Sequence, residues 1–264
     1  MFLTSIRYNP TNTARYPFTL PIFSNLQTLT FSKPVTLFVG ENGTGKSTLL
    51  QGLACVTNRN LIGSQDIADH QDMRSGQELA KAFRPSYKTK TNRGFFLRAE
   101  DFISFSRRVR SMIEEAENEL KQIEIDYKDR SAHAKSLASL PHARTLYDLR
   151  TRYGEGLDVR SHGEKFLDFF HSQIHPRALY ILDEPEAPLS PIKQIALIKM
   201  IIDSAGEGSQ FIISTHSPIL MAIPNAIIYS LEGDQIIERE YEEIEHVQLT
   251  KQFLESPERF LRHL

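Results

Sequence analysis

The chain has 264 residues, 31 basic and 33 acidic, for a formal net charge of −2. Such a length can bury a large core, as one big domain or as a core with a sub-domain. The near-neutral balance supplies no overall field toward nucleic acid or an anionic membrane. No apolar run approaches the roughly 20 residues that span a bilayer, so direct membrane insertion is not expected. The single cysteine, Cys55, cannot form an internal disulfide. Met1-Phe2-Leu3 begins no basic-then-apolar export signal, and the expected compartment is a reducing cytoplasm.

Residues 1–33 alternate β-like pieces (2–8, 18–23 and 27–31) with turn residues at Asn9-Pro10, Pro17 and Pro21, which predicts a small, mainly antiparallel sheet. Tyr8, Tyr16, Phe18 and Phe23 offer flat faces for an adenine, or equally for the core.

The run Val35-Thr36-Leu37-Phe38-Val39 then leads into Gly40-Glu41-Asn42-Gly43-Thr44-Gly45-Lys46-Ser47-Thr48 and a helical pattern through Leu49, Leu53 and Val56. Strand, glycine loop and helix in that order make a phosphate cradle. Gly40, Gly43 and Gly45 let the backbone turn tightly, so that several N–H groups face a polyphosphate while the helix aims its positive end at it. In that pattern Lys46 reaches the β- and γ-phosphates and the Ser47 hydroxyl ligates Mg²⁺. The expected ligand is a nucleoside triphosphate.

Residues 58–90 are polar and weakly periodic, which predicts loop with a short helix near 76–83. A short strand follows at 94–97, and residues 102–140 turn helical and charged, with Phe102, Phe105, Val109, Met112 and Ile113 at helical spacing. Pro141 is expected to end that run, with a second short helix over 143–150. Arg84, Lys88, Lys90, Arg93, Arg98, Arg107, Arg108 and Arg110 could line a nucleic-acid groove, a solvated face or a surface facing a γ-phosphate.

Ser161-His162-Gly163-Glu164 opens a helix through a capping box, with Phe166, Phe170 and Ile174 on its buried face. The apolar run at 178–182 ends in Asp183-Glu184-Pro185, which places two carboxylates at the ligand edge of an open α/β sheet. Strand alternation sends them to opposite faces: Asp183 toward a Mg²⁺ shell, Glu184 toward an attacking water. Ser190 and Pro191 start a helix with Ile195, Ile198 and Ile202 as its buried stripe. Gln210–Ser214 is a further buried strand, delivering His216 to the same edge, where it is placed to sense a γ-phosphate.

These motifs together resemble the ATP-binding-cassette ATPase superfamily. Residues 40–48 look like its Walker A loop, Ser161 to Glu164 like its signature, 179–184 like its Walker B strand and His216 like its switch histidine. Glu184-Pro185-Glu186-Ala187-Pro188-Leu189-Ser190-Pro191 is more similar to stand-alone ATPases of the RecF and SMC kind than to transporter subunits. Two departures stand out: His162 replaces the signature's usual first glycine, and no glutamine follows the strand at 95–97, where Glu100 stands instead.

The resemblance implies an α/β P-loop core with a mainly parallel sheet, a small N-terminal antiparallel sheet and an inserted helical sub-domain. The parts are expected at 1–98, 99–160 and 161–264. It implies an ATPase that pairs with a second copy on binding ATP: Lys46, Ser47 and Asp183 hold Mg-ATP, Ser161 and Gly163 of the other copy close over it, Glu184 directs water and His216 senses the γ-phosphate. The client could be nucleic acid or a protein. A transporter subunit with separate permeases and a non-hydrolysing, ATP-gated module are the alternatives.

Overall fold

β3 (Val35–Val39), β7 (Leu179–Asp183) and β8 (Gln210–Ser214) are buried at all five positions, as strands covered on both faces must be. The computed structural model describes residues 1–10, 14–61, 73–153 and 162–262. It divides into two compact units, Met1–Ala99 with Ile174–Leu264, and Glu100–Gln173.

In the first unit β3 lies between β8 and β9 (Ile227–Glu232) and is parallel to both. Beyond β8 come β7, β6 (Phe95–Arg98) and β4 (Asn60–Leu61), and β10 (Gln235–Arg239) closes the other edge against β9 as an antiparallel hairpin. Among the described residues the order is therefore β10-β9-β3-β8-β7-β6-β4. Parallel neighbours bring the carboxyl ends of β3, β7 and β8 to one edge, where ligands of open α/β sheets bind.

The small antiparallel sheet exists, with one strand other than expected. β1 (Leu3–Tyr8) pairs on one side with β2 (Thr28–Thr30) and on the other with β5 (Phe83–Tyr87). Residues 18–23, read as a strand, instead form turns and a 3₁₀ helix at Pro21–Phe23, because Pro21 has no N–H for a ladder and pre-sets a helical φ. β5 falls where loop was expected; its Pro85 is tolerated because the strand lies at the sheet edge. The short helix expected nearby is α2 (Arg74–Ala82), which follows α1 (Lys46–Thr57) in the chain. The Gln210 side chain fastens β1 to the large sheet, accepting from the Phe2 and Leu3 N–H at 2.8 and 2.9 Å and donating to the Leu3 carbonyl at 2.8 Å.

α6 (Pro191–Gly206) starts with Ser190 as N-cap and Pro191 as its first residue. Its buried residues are Leu197, Ile201 and Ser204; Ile195 and Ile202, expected inside, are 54% and 37% exposed. The isoleucines repeat at 195, 198 and 202, but the sheet is met by the 197–201–204 stripe, which follows the same period one step round the helix. α7 (Pro218–Met221), α8 (Glu245–Glu255) and α9 (Pro257–Leu261) follow β8.

The second unit is helical: α3 (from Ala99, through Asp126), α4 (Ala132–Tyr153) and α5 (His162–Gln173). Phe102 meets Phe166 and Phe169 at ring separations of 5.0 and 5.4 Å, and Val109 and Ile113 are buried, whereas Met112 is exposed. Pro141 does not end the helical run; it lies inside α4. The break falls at 127–131, where the Ser131 hydroxyl caps α4 by accepting from the Ala134 N–H at 3.2 Å. Among the described residues no helix is long and apolar enough to cross a membrane.

Candidate functional site

The loop between β3 and α1 is built for close approach by an anion. Gly45 precedes α1 with φ 99°, and a Cβ there would come within 3.1 Å of the Leu20 and Ile22 side chains. Lys46 is 4% exposed, and its ammonium donates to the Gly40 and Glu41 carbonyls at 2.8 Å each. It is thus held over the loop by the loop's own backbone. Burial lowers its pKa, and Glu184, Asp183, Glu41 and Glu186 oppose that shift.

Glu41, Asn42, Gly43 and Thr44 form the loop's outer turn, tied by a Thr44 hydroxyl bond to the Glu41 carbonyl at 2.9 Å. The Thr48 hydroxyl meets the Tyr16 hydroxyl at 3.0 Å. Of the four aromatics considered for adenine, Tyr8 and Phe23 belong to the core and Phe18 packs partly buried against it, whereas Tyr16 is 56% exposed.

The two adjacent acids have different surroundings. Asp183 is 6% exposed at the end of β7, where it accepts from the Ser47 hydroxyl at 3.2 Å and from Ser214. Burial pushes its carboxyl above the usual carboxylate range; the hydrogen bonds from Ser214 and Ser47 pull it back, and Arg98 adds to their pull. Arg98 sits beside Asp183 in the β6–β7 register and is buried, so it does not belong to a solvent-facing basic groove.

Glu184 is not a strand residue. Its φ is 50°, a left-handed conformation costing a non-glycine residue about 1–3 kcal/mol, and its N–H is anchored to the Ser214 carbonyl at 3.1 Å. The expected alternation of faces therefore gives way to a backbone turn, which aims the Glu184 side chain independently of the strand. Its Oε1 lies 3.4 Å from His216 Nε2. That is a close approach without hydrogen-bond geometry, for Nε2 has no hydrogen-bond partner among the described residues. Burial, and then the Lys46 charge, hold the His216 imidazole below its ordinary pKa, with Glu184 pulling the other way.

The donor set fits a divalent hard cation: a serine hydroxyl and a desolvated carboxylate at hydrogen-bond distance, both oxygen ligands, beside a buried lysine. Lys46, Ser47, Asp183, Glu184 and His216 thus converge at one sheet edge. The signature residues are placed differently: Ser161 lies outside the described residues, and Gly163 is buried in the first turn of α5, in the second unit. The Glu100 side chain also lies outside what is described.

Sequence reasoning missed Arg98, grouped with surface cations, and Glu186. The Glu186 carboxylate accepts from the Thr215 hydroxyl and the His216 N–H at 2.7 Å each, and from the Ser217 N–H at 3.2 Å. The signal for Arg98 was its place at the end of an apolar strand one step before helix; nothing local marked Glu186.

The architecture has the fold of a P-loop, cassette-type ATPase domain. Residues 20–140 match a family described as an AAA domain. A nucleotide-free ATP-binding cassette from an ABC transporter is similar over 96% of both chains, at 15% identity and a TM-score of 0.50. The Smc head domain of Pyrococcus furiosus, solved with an extended coiled coil and the C-terminal domain of ScpA, is similar over 96% of this chain and 99% of its own, at 13% identity and a TM-score of 0.48. No curated protein matches in sequence. The AAA match and the cassette fold agree with the cassette-ATPase resemblance carried by the motifs.

Proposed function

We propose that this chain binds Mg-ATP at the β3–α1 loop and hydrolyses it, working as a head-to-tail pair of copies. The observation that carries this reading is the meeting of two contacts at one edge: Ser47 with Asp183 at 3.2 Å, and Glu184 with His216 at 3.4 Å. The first pair offers oxygen ligands to Mg²⁺, which when bound would offset phosphate charge. Lys46 exchanges its two loop carbonyls for phosphate oxygens. Glu184, aimed by its left-handed backbone and partly exposed, orients a water and takes its proton. His216, whose Nε2 has no hydrogen-bond partner among the described residues, offers the γ-phosphate one. Tyr16 supplies the exposed aromatic face beside the loop.

The second half of the site comes, by the superfamily resemblance, from Ser161 and Gly163 of another copy. ATP bound between copies favours the closed pair, and hydrolysis withdraws that preference. Arg84, Lys88, Lys90 and Arg93 are all exposed, which supports a nucleic-acid client.

The test is steady-state ATPase activity of wild type and Glu184→Gln, with and without DNA at low salt, beside size exclusion with Mg-ATP. The variant should lose at least about 100-fold in kcat, keep nucleotide binding and elute as a dimer. An active Glu184→Gln, or a variant that stays monomeric in saturating Mg-ATP, counts against the mechanism. DNA that neither binds nor stimulates removes the nucleic-acid client.

A further inference from the structure

His216 stands one residue beyond the Thr215 that follows β8, on a short connection to α7. Such a connection has few ways to hold a side chain against a reacting group, because its backbone donors lack a ladder partner. Here the His216 and Ser217 N–H groups and the Thr215 hydroxyl all turn to one atom, Oε1 of Glu186, at 2.7, 3.2 and 2.7 Å.

The chain on the other side of this clasp is equally defined. Glu186 is two residues beyond Glu184, in a turn closed by the Ala187 N–H to the Glu184 carbonyl at 3.1 Å. One carboxylate therefore joins the segment that aims Glu184 to the segment that carries His216.

We propose that Glu186 is a positioning residue, setting the His216 imidazole against Glu184 by gripping the 215–217 backbone. This rests on the ATPase reading above and adds to it the element that keeps water-orienting and phosphate-sensing groups in register. The grip needs an acceptor at one oxygen only. Oε2 is buried without a hydrogen-bond partner among the described residues, and Glu186 borders a cavity of about 1020 Å³, lined also by His216, Ile219, Tyr241, Val247 and Leu254. A glutamine has the same heavy-atom shape and can keep its amide oxygen at the Oε1 position. An alanine cannot keep the grip.

The experiment compares Glu186→Gln and Glu186→Ala by ATP turnover, nucleotide affinity and imidazole NMR. Nine histidines are present, and the His216 resonance is the one lost in His216→Ala. Glu186→Ala should lower kcat at least 10-fold, with KM and ADP affinity within 3-fold of wild type, and should shift or broaden the His216 resonance. Glu186→Gln should restore kcat to within 3-fold and leave the resonance in place. Adding His216→Ala to Glu186→Ala should lower kcat no further than His216→Ala alone.

An unmoved resonance in Glu186→Ala overturns the proposal, as does full additivity with His216→Ala. A Glu186→Gln as slow as Glu186→Ala also overturns it, because the charge rather than the grip would then matter. If Glu186→Ala fails to fold, Thr215→Val removes one of the three donors and should shift the same resonance; an unmoved one overturns the proposal. Wild type that turns over no ATP defeats the ATPase reading, while the NMR comparison still decides whether Glu186 holds His216.

Discussion

The two units of the chain are stabilised in opposite ways. In the first, β3, β7 and β8 are wholly buried and paired with strands far away in sequence, so each backbone position answers to several distant ones. In the second, α3, α4 and α5 satisfy their backbones locally, and large apolar side chains such as Leu137, Leu140 and Tyr147 are 66%, 64% and 70% exposed. Two of its ion pairs, Arg150 with Glu117 at 2.8 Å and Lys135 with Glu124 at 3.6 Å, are of the exposed kind worth little. A site that requires atoms from three strand ends to meet within hydrogen-bond distance needs the first kind of construction. Substitutions in the first unit should therefore be costly, and the second should tolerate them.

The largest expected effect is at Gly94, just before β6. Its φ is 111°, and a Cβ would fall 1.9 Å from the Leu179 carbonyl oxygen, a backbone atom that cannot move without opening the sheet. Gly94→Ala should destabilise the chain by at least about 3 kcal/mol, read as a lower urea midpoint. An unchanged midpoint would show that the sheet is more forgiving than its packing implies.

Pro141 tests the other side of the comparison. Inside α4 it removes a helical hydrogen bond and crowds the carbonyl one turn back, a cost of up to about 3 kcal/mol. Pro141→Ala should stabilise, with slower amide exchange over 132–153. Faster exchange there would mean that tertiary packing around the proline outweighs local propensity.

The smallest effect, and the one that separates chemistry from stability, is at Asp183. Burial raises this carboxyl's pKa, so its contribution to stability is fully present below its unfolded value and is lost as pH rises through the folded one. Asp183→Asn can still accept from Ser47 and Ser214 without a buried charge. At pH 7.5 it should melt on the order of 3 °C higher than wild type in the absence of nucleotide. The gain should shrink toward acid pH, while Mg²⁺-dependent nucleotide binding is lost. A lower melting temperature would mean that the ionised form is better supported than its burial suggests.

What could be read without coordinates follows the same division. The strands β3, β7 and β8 are short, mainly apolar runs, β7 and β8 ending in Asp183 and Ser214, and that pattern has one economical explanation in a parallel sheet. The α6 start was legible because Ser190 and Pro191 carry its signal in two adjacent residues. β5 was not, since Arg84-Pro85-Ser86 has no strand character until β1 lies beside it. The left-handed backbone of Glu184 and the clasp of Glu186 on the His216 loop were also out of reach. Both depend on where β8 ends relative to β7, a register no local pattern encodes. Pro141 misled because proline's local penalty is real yet can be outweighed by the rest of a helix.

The placement of β3 has a consequence for synthesis. Its two neighbours, β8 and β9, lie at Gln210–Ser214 and Ile227–Glu232, so until the ribosome has passed those segments the strand behind the phosphate loop has no partner on either side. The motif is made before both of the strands that flank β3 and acquires its frame only when they arrive. A long interval with an unpaired, apolar β3 exposes the newborn chain to misassociation before it can bind anything.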